Sequence, residues 1–349
     1  MNTMELLAEQ LDIAPGDLDD SGQHVPYQEP VFEPVYTQEE LALPHPPLDS
    51  LVTSPEQDET STDDTGAELA SIAPPNNAHR ASWMGTYRTV ANLKIENMIL
   101  PGTHNSGCDK QAPSSPSSET CQDYSPHVQL QYGIRALDLR VQFYSGYTKG
   151  DPRRFSIFHM TSNGRTVQGD IIGAVNNLHR EHAREIVILD FHEFKNFTTA
   201  AHQELGAIIK AAFGSRLIDP SDTDLLAHQL WSRNKNTVIA YKSSDRDRSF
   251  WPGVNQRWIG ENTPSNDKLR DFVRNVGNET KPAGELRAVQ AAKYSMPFFV
   301  PKDITKETMT WFAAGDVNHP IMKHYIINTD WSLRNRLVDN CIYANQFRK

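Results

Sequence analysis

From Trp83 to the end of the chain, short apolar runs alternate with longer amphipathic stretches, and nearly every run closes on a polar or charged residue. The runs cover residues 98–100, 136–141, 156–158, 186–191, 237–241, 287–291 and 325–328. Between them, residues 168–182 place Ile171, Ile172, Val175 and Leu178 on one helical face, and residues 199–213 do the same with Leu205, Ile208, Ile209 and Phe213. A third helix is expected over 265–276, with Ser265 as its cap and Asp267 in its first turn. Short strands alternating with helices imply repeated βα units and a largely parallel sheet. Seven or eight such strands over about 265 residues fit one irregular, TIM-like (β/α) barrel, whose functional face lies at the C-terminal ends of its strands.

The polar residues fall at those ends. Ile99-Leu-Pro-Gly-Thr-His104-Asn-Ser-Gly107 runs an apolar segment into a glycine-bounded turn carrying His104, and Arg153-Arg-Phe-Ser-Ile-Phe-His159 ends on a second imidazole. Gly133-Ile-Arg-Ala-Leu-Asp138-Leu-Arg140-Val contributes a carboxylate and a guanidinium, while His192 with Glu193, Lys242 and Asp330 follow later runs. Two imidazoles, a carboxylate and a guanidinium at neighbouring strand ends suit acid–base chemistry on an anion such as a phosphate ester. His79, His127, His179, His182, His202, His228, His319 and His324 lack such a context and are read as structural or surface residues. Arg135 is read as half of a structural ion pair, and Asp190 as either catalytic or a hydrogen-bonded carboxylate inside the barrel.

Charge divides the chain. Residues 1–80 hold 17 Asp and Glu against one Arg and 10 of the 22 prolines, whereas the remaining 269 residues hold 27 acidic and 33 basic side chains. The first segment, at −16, cannot bury enough apolar surface to offset its ordering entropy and is expected to be disordered; the body, 81–349, carries +6 and forms the barrel. That mild excess comes without a basic stripe or aromatic platform, which excludes a nucleic-acid partner. Glu5, Glu9 and Asp12 occupy the place of a signal peptide's cationic and apolar regions, and no run approaches the roughly 20 apolar residues of a membrane span. The expectation is a soluble chain, cytoplasmic or exported without a conventional signal. Cys108, Cys121 and Cys341 are too few for a disulfide framework or a metal site and are read as reduced thiols, although the first two are able to close one loop. Trp231, Trp251, Trp258 and Trp311 are read as core, with Phe250-Trp251-Pro-Gly253 the alternative candidate for a loop tip at a membrane interface.

Four ordered motifs carry a family resemblance: Pro-Gly-Thr-His-Asn-Ser at 101–106, Gly-Ile-Arg-Ala-Leu-Asp-Leu-Arg-Val at 133–141, the run ending in His159, and Glu-Ile-Val-Ile-Leu-Asp-Phe at 185–191. Residues 83–331 resemble the X domain of phosphatidylinositol-specific phospholipases C, especially the small bacterial and X-domain-only members. The resemblance implies a TIM-like barrel that cleaves phosphatidylinositol, at a membrane surface, to diacylglycerol and inositol 1,2-cyclic phosphate. It implies His104 as general base, His159 as general acid, Arg140 as phosphate clamp, Asp138 as an orienting carboxylate and Asp330 as the partner of the base. Calcium-dependent members carry a metal-binding carboxylate where this chain has Arg140, so no metal or other cofactor is expected. Asn105 departs from the aspartate that bacterial members place beside the base to hold the acid. Asn105, Lys242, His192 and Tyr294 are the expected substrate contacts. In 289–294 the family's pocket aspartate is missing, which opens the headgroup to variation. Two alternatives are a related phosphodiesterase acting on another phospholipid, and an inactive module that binds inositol phosphates.

Overall fold

The computed structural model describes residues 78–349, so the expected disorder of 1–80 lies almost wholly outside the described residues. Three short helical turns, Ala78–Ala81, Trp83–Thr86 and Arg88–Ala91, lead into strand β1 (Leu100–Thr103) and helix α1 (Pro126–Gln131). Next come β2 (Ala136–Phe143), β3 (Phe155–Phe158), β4 (Ser162–Thr166) and α2 (Gly173–Glu181), which a π-helical turn, Val167–Ile172, precedes. They are followed by β5 (Val187–Lys195), α3 (Thr199–Phe213), α4 (Ala227–Ser232), β6 (Thr237–Tyr241), β7 (Trp251–Pro252) and β8 (Asn255–Arg257). The chain ends with α5 (Asn266–Asn278), β9 (Arg287–Ala291), the hairpin β10 (Tyr294–Ser295) and β11 (Val300–Pro301), α6 (Thr305–Trp311), β12 (Ile326–Thr329) and α7 (Leu337–Ala344).

The main sheet runs β7-β6-β5-β2-β1-β12-β9-β8, with every neighbouring pair parallel. Its two outer strands, β7 and β8, are separated by Gly253 and Val254 alone, so the sheet must curl until its edges meet. The chain closes this barrel, not a ladder of hydrogen bonds, which makes it irregular. Helices α2 and α3 bury Val175, Leu178, Leu205 and Ile209 against the apolar face of the sheet, in a core that also holds Leu137, Leu139, Ile188 and Leu189. No helix among the described residues is long and apolar enough to cross a membrane.

Strands 237–241 and 287–291 and helix 199–213 match the sequence reading, whereas the hairpin and the short strands β7 and β8 lack the length to show a period. One strand plays a different part from the one expected. β3 is not a barrel strand: it pairs antiparallel with the far end of β2, Val141 opposite Ile157 and Phe143 opposite Phe155. Because β2 extends eight residues, beyond the ladder it shares with β1, β3 turns back along this extension and delivers His159 to the mouth from above. Phe250 and Trp251 are 1% and 2% exposed, so they form core and not a loop tip; the exposed tryptophan is Trp258.

Candidate active site

The first motif is built to hold a turn. At Gly102 a Cβ would fall 2.0 Å from Asn328 Oδ1, so no side chain fits between β1 and β12. Thr103 Oγ1 donates to Gln129 Oε1 at 2.8 Å, the Asp138 amide donates to Ser106 Oγ at 2.7 Å, and the Ser106 amide returns a bond to the Asp138 carbonyl at 2.9 Å. Asn105 takes a positive φ of 47°, a region asparagine tolerates better than most residues. These bonds leave His104 fixed at the top of β1, its amide held by the Thr329 carbonyl.

His104 is 8% exposed, and its Nδ1 lies 2.7 Å from Asp330 Oδ1. A carboxylate there fixes the proton on Nδ1 and turns the Nε2 lone pair outward, where Asn105 Nδ2 approaches to 3.2 Å. Burial pushes the Asp330 carboxyl above its ordinary range, with His104 opposing that shift. His159 sits across the mouth, with Nε2 3.2 Å from Tyr294 Oη and the two rings stacked at 6.1 Å between centroids. Tyr294 also meets His104 edge-on at 6.4 Å, so one phenol separates the two imidazoles. Burial, then the charge of Arg140 and the proximity of His104, hold His159 down to about 3, leaving it neutral at physiological pH.

Arg140 Nη1 pairs with Glu193 at 3.2 Å, while its Nε is buried with no partner. An unpaired buried donor on a guanidinium is poised for an anion. Beneath it the barrel interior is polar. Asp138 receives His192 Nδ1 at 2.5 Å and the amides of Gln256 and Gln290 at 3.3 Å each, and is held well below the usual carboxylate range, against its burial, chiefly by His192. Asp190, its ladder partner on β5, accepts from Gln256 at 2.7 Å and from the Val254 amide at 3.2 Å; burial raises its carboxyl to about 7. Asp190 is therefore the hydrogen-bonded interior carboxylate, and Arg135 forms the expected ion pair, 2.6 Å from Glu185.

His104, Asn105, Asp138, Arg140, His159, His192, Tyr294 and Asp330 are thus brought together. Lys242 is not joined to them: it is exposed beyond β6, with only its amide engaged, to the Phe191 carbonyl. His192 faces Asp138, Asn105 faces His104, and Tyr294 faces His159. Gln256 and Gln290 complete the floor; Gln256 lies on β8, too short at three residues to show a period, and Gln290 lies within the run 287–291 but was not singled out there. Glu119 was also unmarked; its carboxylate receives the amides of Met160 and Thr161 at 3.1 and 2.9 Å and pins the segment that carries His159. Asp138, Asp190 and His192 have ligand atoms within 4.8 Å of one another, but Asp138 is already ion-paired to His192 and the Arg140 charge acts on both residues. A hard cation such as calcium takes six to eight oxygen ligands, which this donor set does not fit.

The fold and cluster define a TIM-like α/β barrel with two imidazoles and a guanidinium at its mouth. Among solved structures it resembles a variant of the phosphatidylinositol-specific phospholipase C from Staphylococcus aureus (TM-score 0.58, 12% identity, 77% of this chain and 98% of that one). It also resembles the enzyme of the same name from Listeria monocytogenes (TM-score 0.56, 14% identity, 76% and 98%). No family model matches the chain. By sequence it is 28% identical to human PI-PLC X domain-containing protein 1 over 159 residues, 45% of this chain and 47% of that protein. It is 23% identical to mouse PI-PLC X domain-containing protein 3 over 274 residues, 69% of this chain and 84% of that protein. The chain spans about half the length of the first of these relatives. In sequence the chain is similar to the PI-PLC X domain-containing proteins, and in fold to the bacterial phosphatidylinositol-specific phospholipases C.

Proposed function

We propose that the chain is a phospholipase C-type phosphodiesterase that cleaves phosphatidylinositol, or a closely related inositol lipid, to diacylglycerol and inositol 1,2-cyclic phosphate. The observation that carries this reading is the His104–Asp330 pair at 2.7 Å, facing a second imidazole beside a guanidinium with an unpaired buried donor. His104 Nε2 takes the proton of the inositol 2-hydroxyl, and the oxygen attacks the adjacent phosphorus. Asp330 stabilises the imidazolium that forms. The nucleophile is already next to the phosphorus, so no entropy of approach remains. Arg140 binds the non-bridging oxygens as their charge builds.

His159 then protonates the departing diacylglycerol oxygen. It is neutral in the free protein, so it must gain its proton as substrate binds. The phosphodiester anion supplies the reason: seated on Arg140, it cancels a positive charge that holds His159 down. Arg140 does the electrostatic work that a cation does elsewhere, so the reaction is proposed to be metal-independent. The test is phosphorus NMR of products from phosphatidylinositol vesicles in excess chelator, for the wild type, His104→Ala and His159→Ala. Cyclic inositol phosphate from the wild type alone is the expected result. Turnover only after calcium is restored would overturn metal independence, and no turnover in either condition would overturn the substrate assignment.

A further inference from the structure

Asn105 turns its amide to His104, so the base motif itself supplies no carboxylate to steady His159. Another segment grips the acid instead. His159 stands in the tight turn between β3 and β4, its amide donating to the Thr161 carbonyl at 3.1 Å. Glu119 closes that turn from the long loop between β1 and α1. Its Oε2 accepts the amides of Met160 and Thr161 at 3.1 and 2.9 Å, and the Thr161 hydroxyl lies 3.1 Å from both carboxylate oxygens. The side chain is buried, and no cation pairs with it among the described residues. A buried charge is costly and is ordinarily offset by an ion pair; here every bond of the carboxylate goes to the turn that carries the acid. The main chain of Glu119 reaches the ring as well. Tyr294 occupies Nε2 at 3.2 Å, Nδ1 is buried without a well-formed bond, and the Glu119 backbone acts on the imidazole as an accepting carbonyl does. Glu119 and His159 also line one cleft. Three residues on, Gln122 Nε2 donates to the carbonyls of His104 and Thr329 at 2.9 Å each, and the Trp331 amide donates to the Cys121 carbonyl at 2.9 Å. Residues 119–122 therefore tie the turn of the acid to the base and to the strand end that carries Asp330.

We propose that Glu119 is a positioning residue for the acid. Its carboxylate holds the 159–161 turn closed, its carbonyl receives the Nδ1 proton of His159, and Nε2 is thereby left aimed at the mouth. The 119–122 strap sets the separation of acid and base, which a reaction needing both in one transition state depends on. Glu119 touches no reacting atom and works through bonds, not through its charge. A glutamine therefore replaces it: Oε1, in the place of Oε2, accepts both amides, and Nε2 donates to the Thr161 hydroxyl. The role of His159 as acid rests on the lipid-cleaving reading; the placement of its ring is measured without turnover.

The experiment compares the full-length wild type with Glu119→Ala, Glu119→Gln and Thr161→Val, each checked by a thermal melt. Kinetics are measured on phosphatidylinositol vesicles and on a soluble inositol phosphodiester whose p-nitrophenolate leaving group needs no acid. Nitrogen NMR of histidine-labelled protein near neutral pH reports the His159 ring. Glu119→Ala should lower kcat on phosphatidylinositol about 30-fold, with KM changed by less than about threefold and the p-nitrophenyl substrate nearly unaffected. Glu119→Gln should restore wild-type rates. Thr161→Val, which removes one hydroxyl and keeps the buried carboxylate, should show the same split at about threefold and decides the matter if the alanine variant does not fold. In the NMR spectrum His159 should hold its proton on Nδ1 in the wild type and Glu119→Gln, and exchange between tautomers in Glu119→Ala. Equal losses on both substrates overturn the proposal, as does a glutamine variant as impaired as the alanine one or an unchanged His159 ring in Glu119→Ala. A wild type that turns over neither substrate, with the ring released in Glu119→Ala alone, keeps the clamp and removes the chemical reading instead.

Discussion

Asp330→Asn isolates the electrostatic part of the base. The amide has the shape of the carboxylate, and its Oδ1 is still able to accept from His104 Nδ1, now 2.7 Å from Asp330. What disappears is a full negative charge beside the imidazolium formed when His104 takes the 2-hydroxyl proton. With charge centres about 4 Å apart and an effective dielectric of about 20, that attraction is about 4 kcal/mol. It acts chiefly in the transition state, where the imidazolium forms. The expected result is a fall in kcat of about 10³-fold with KM changed by less than about threefold. Folding should not suffer, because Asp330 is buried and its carboxyl is already pushed up by desolvation. Saturation kinetics on phosphatidylinositol vesicles, with a thermal melt of the same sample, make the measurement. A folded Asp330→Asn variant whose kcat stays within about tenfold of wild type would refute the base assignment.

Tyr294→Phe should lower kcat on phosphatidylinositol by about 10–100-fold. It should have little effect on an analogue with a p-nitrophenolate leaving group, which needs no acid; equal losses on both substrates would make Tyr294 a pocket wall instead. Arg135→Met strips the buried Glu185 of its charge partner and takes a donor from four carbonyls, those of Leu130, Ile134, Arg80 and Ala81. It should cost about 3–5 kcal/mol, read as a fall in melting temperature of on the order of 10 °C; a loss below about 1 kcal/mol would show that the pair does not clamp the first helical turns. Burial holds His159 and His179 down to about 3 and His324 to about 4. Above the unfolded value of about 6.5 these groups are neutral in both states, and below it only the unfolded chain takes up their protons. Stability should therefore fall as pH drops from about 6.5 toward 4, by up to about 1.4 kcal/mol per pH unit for each such histidine. His324→Phe should make a plot of urea midpoint against pH shallower, and an unchanged slope would refute its neutral burial.

Composition and periodicity were enough to place the barrel and its main parts. The run 237–241, apolar after Thr237, buries every residue, and an apolar segment of that length has few other homes. The turn at 101–106 was equally legible, because glycine where no Cβ fits, then threonine and serine that bond locally, make a chemistry that depends on neighbours a few residues away. His104, Asp138, Arg140 and Asp330 were readable for the same reason: each sits on or just past a parallel strand, and strand ends converge by the geometry of the fold.

What the sequence left open lies in contacts between segments distant along the chain. Whether Tyr294 lines a pocket or holds His159 depends on where a two-strand hairpin leans, and nothing local fixes that. The inward turn of His159 comes from β3 reversing on an overlong β2, a matter of pairing partners and not of propensity. The polar floor of Asp138, Asp190, His192, Gln256 and Gln290 exists because four strands, β2, β5, β8 and β9, meet inside one sheet curled by the two-residue link between β7 and β8. Burial raises one carboxylate there, and the company of a histidine lowers another, although both are aspartates at the same ladder level. Local chemistry chose the residues, and only the closed barrel decided which of them carry charge.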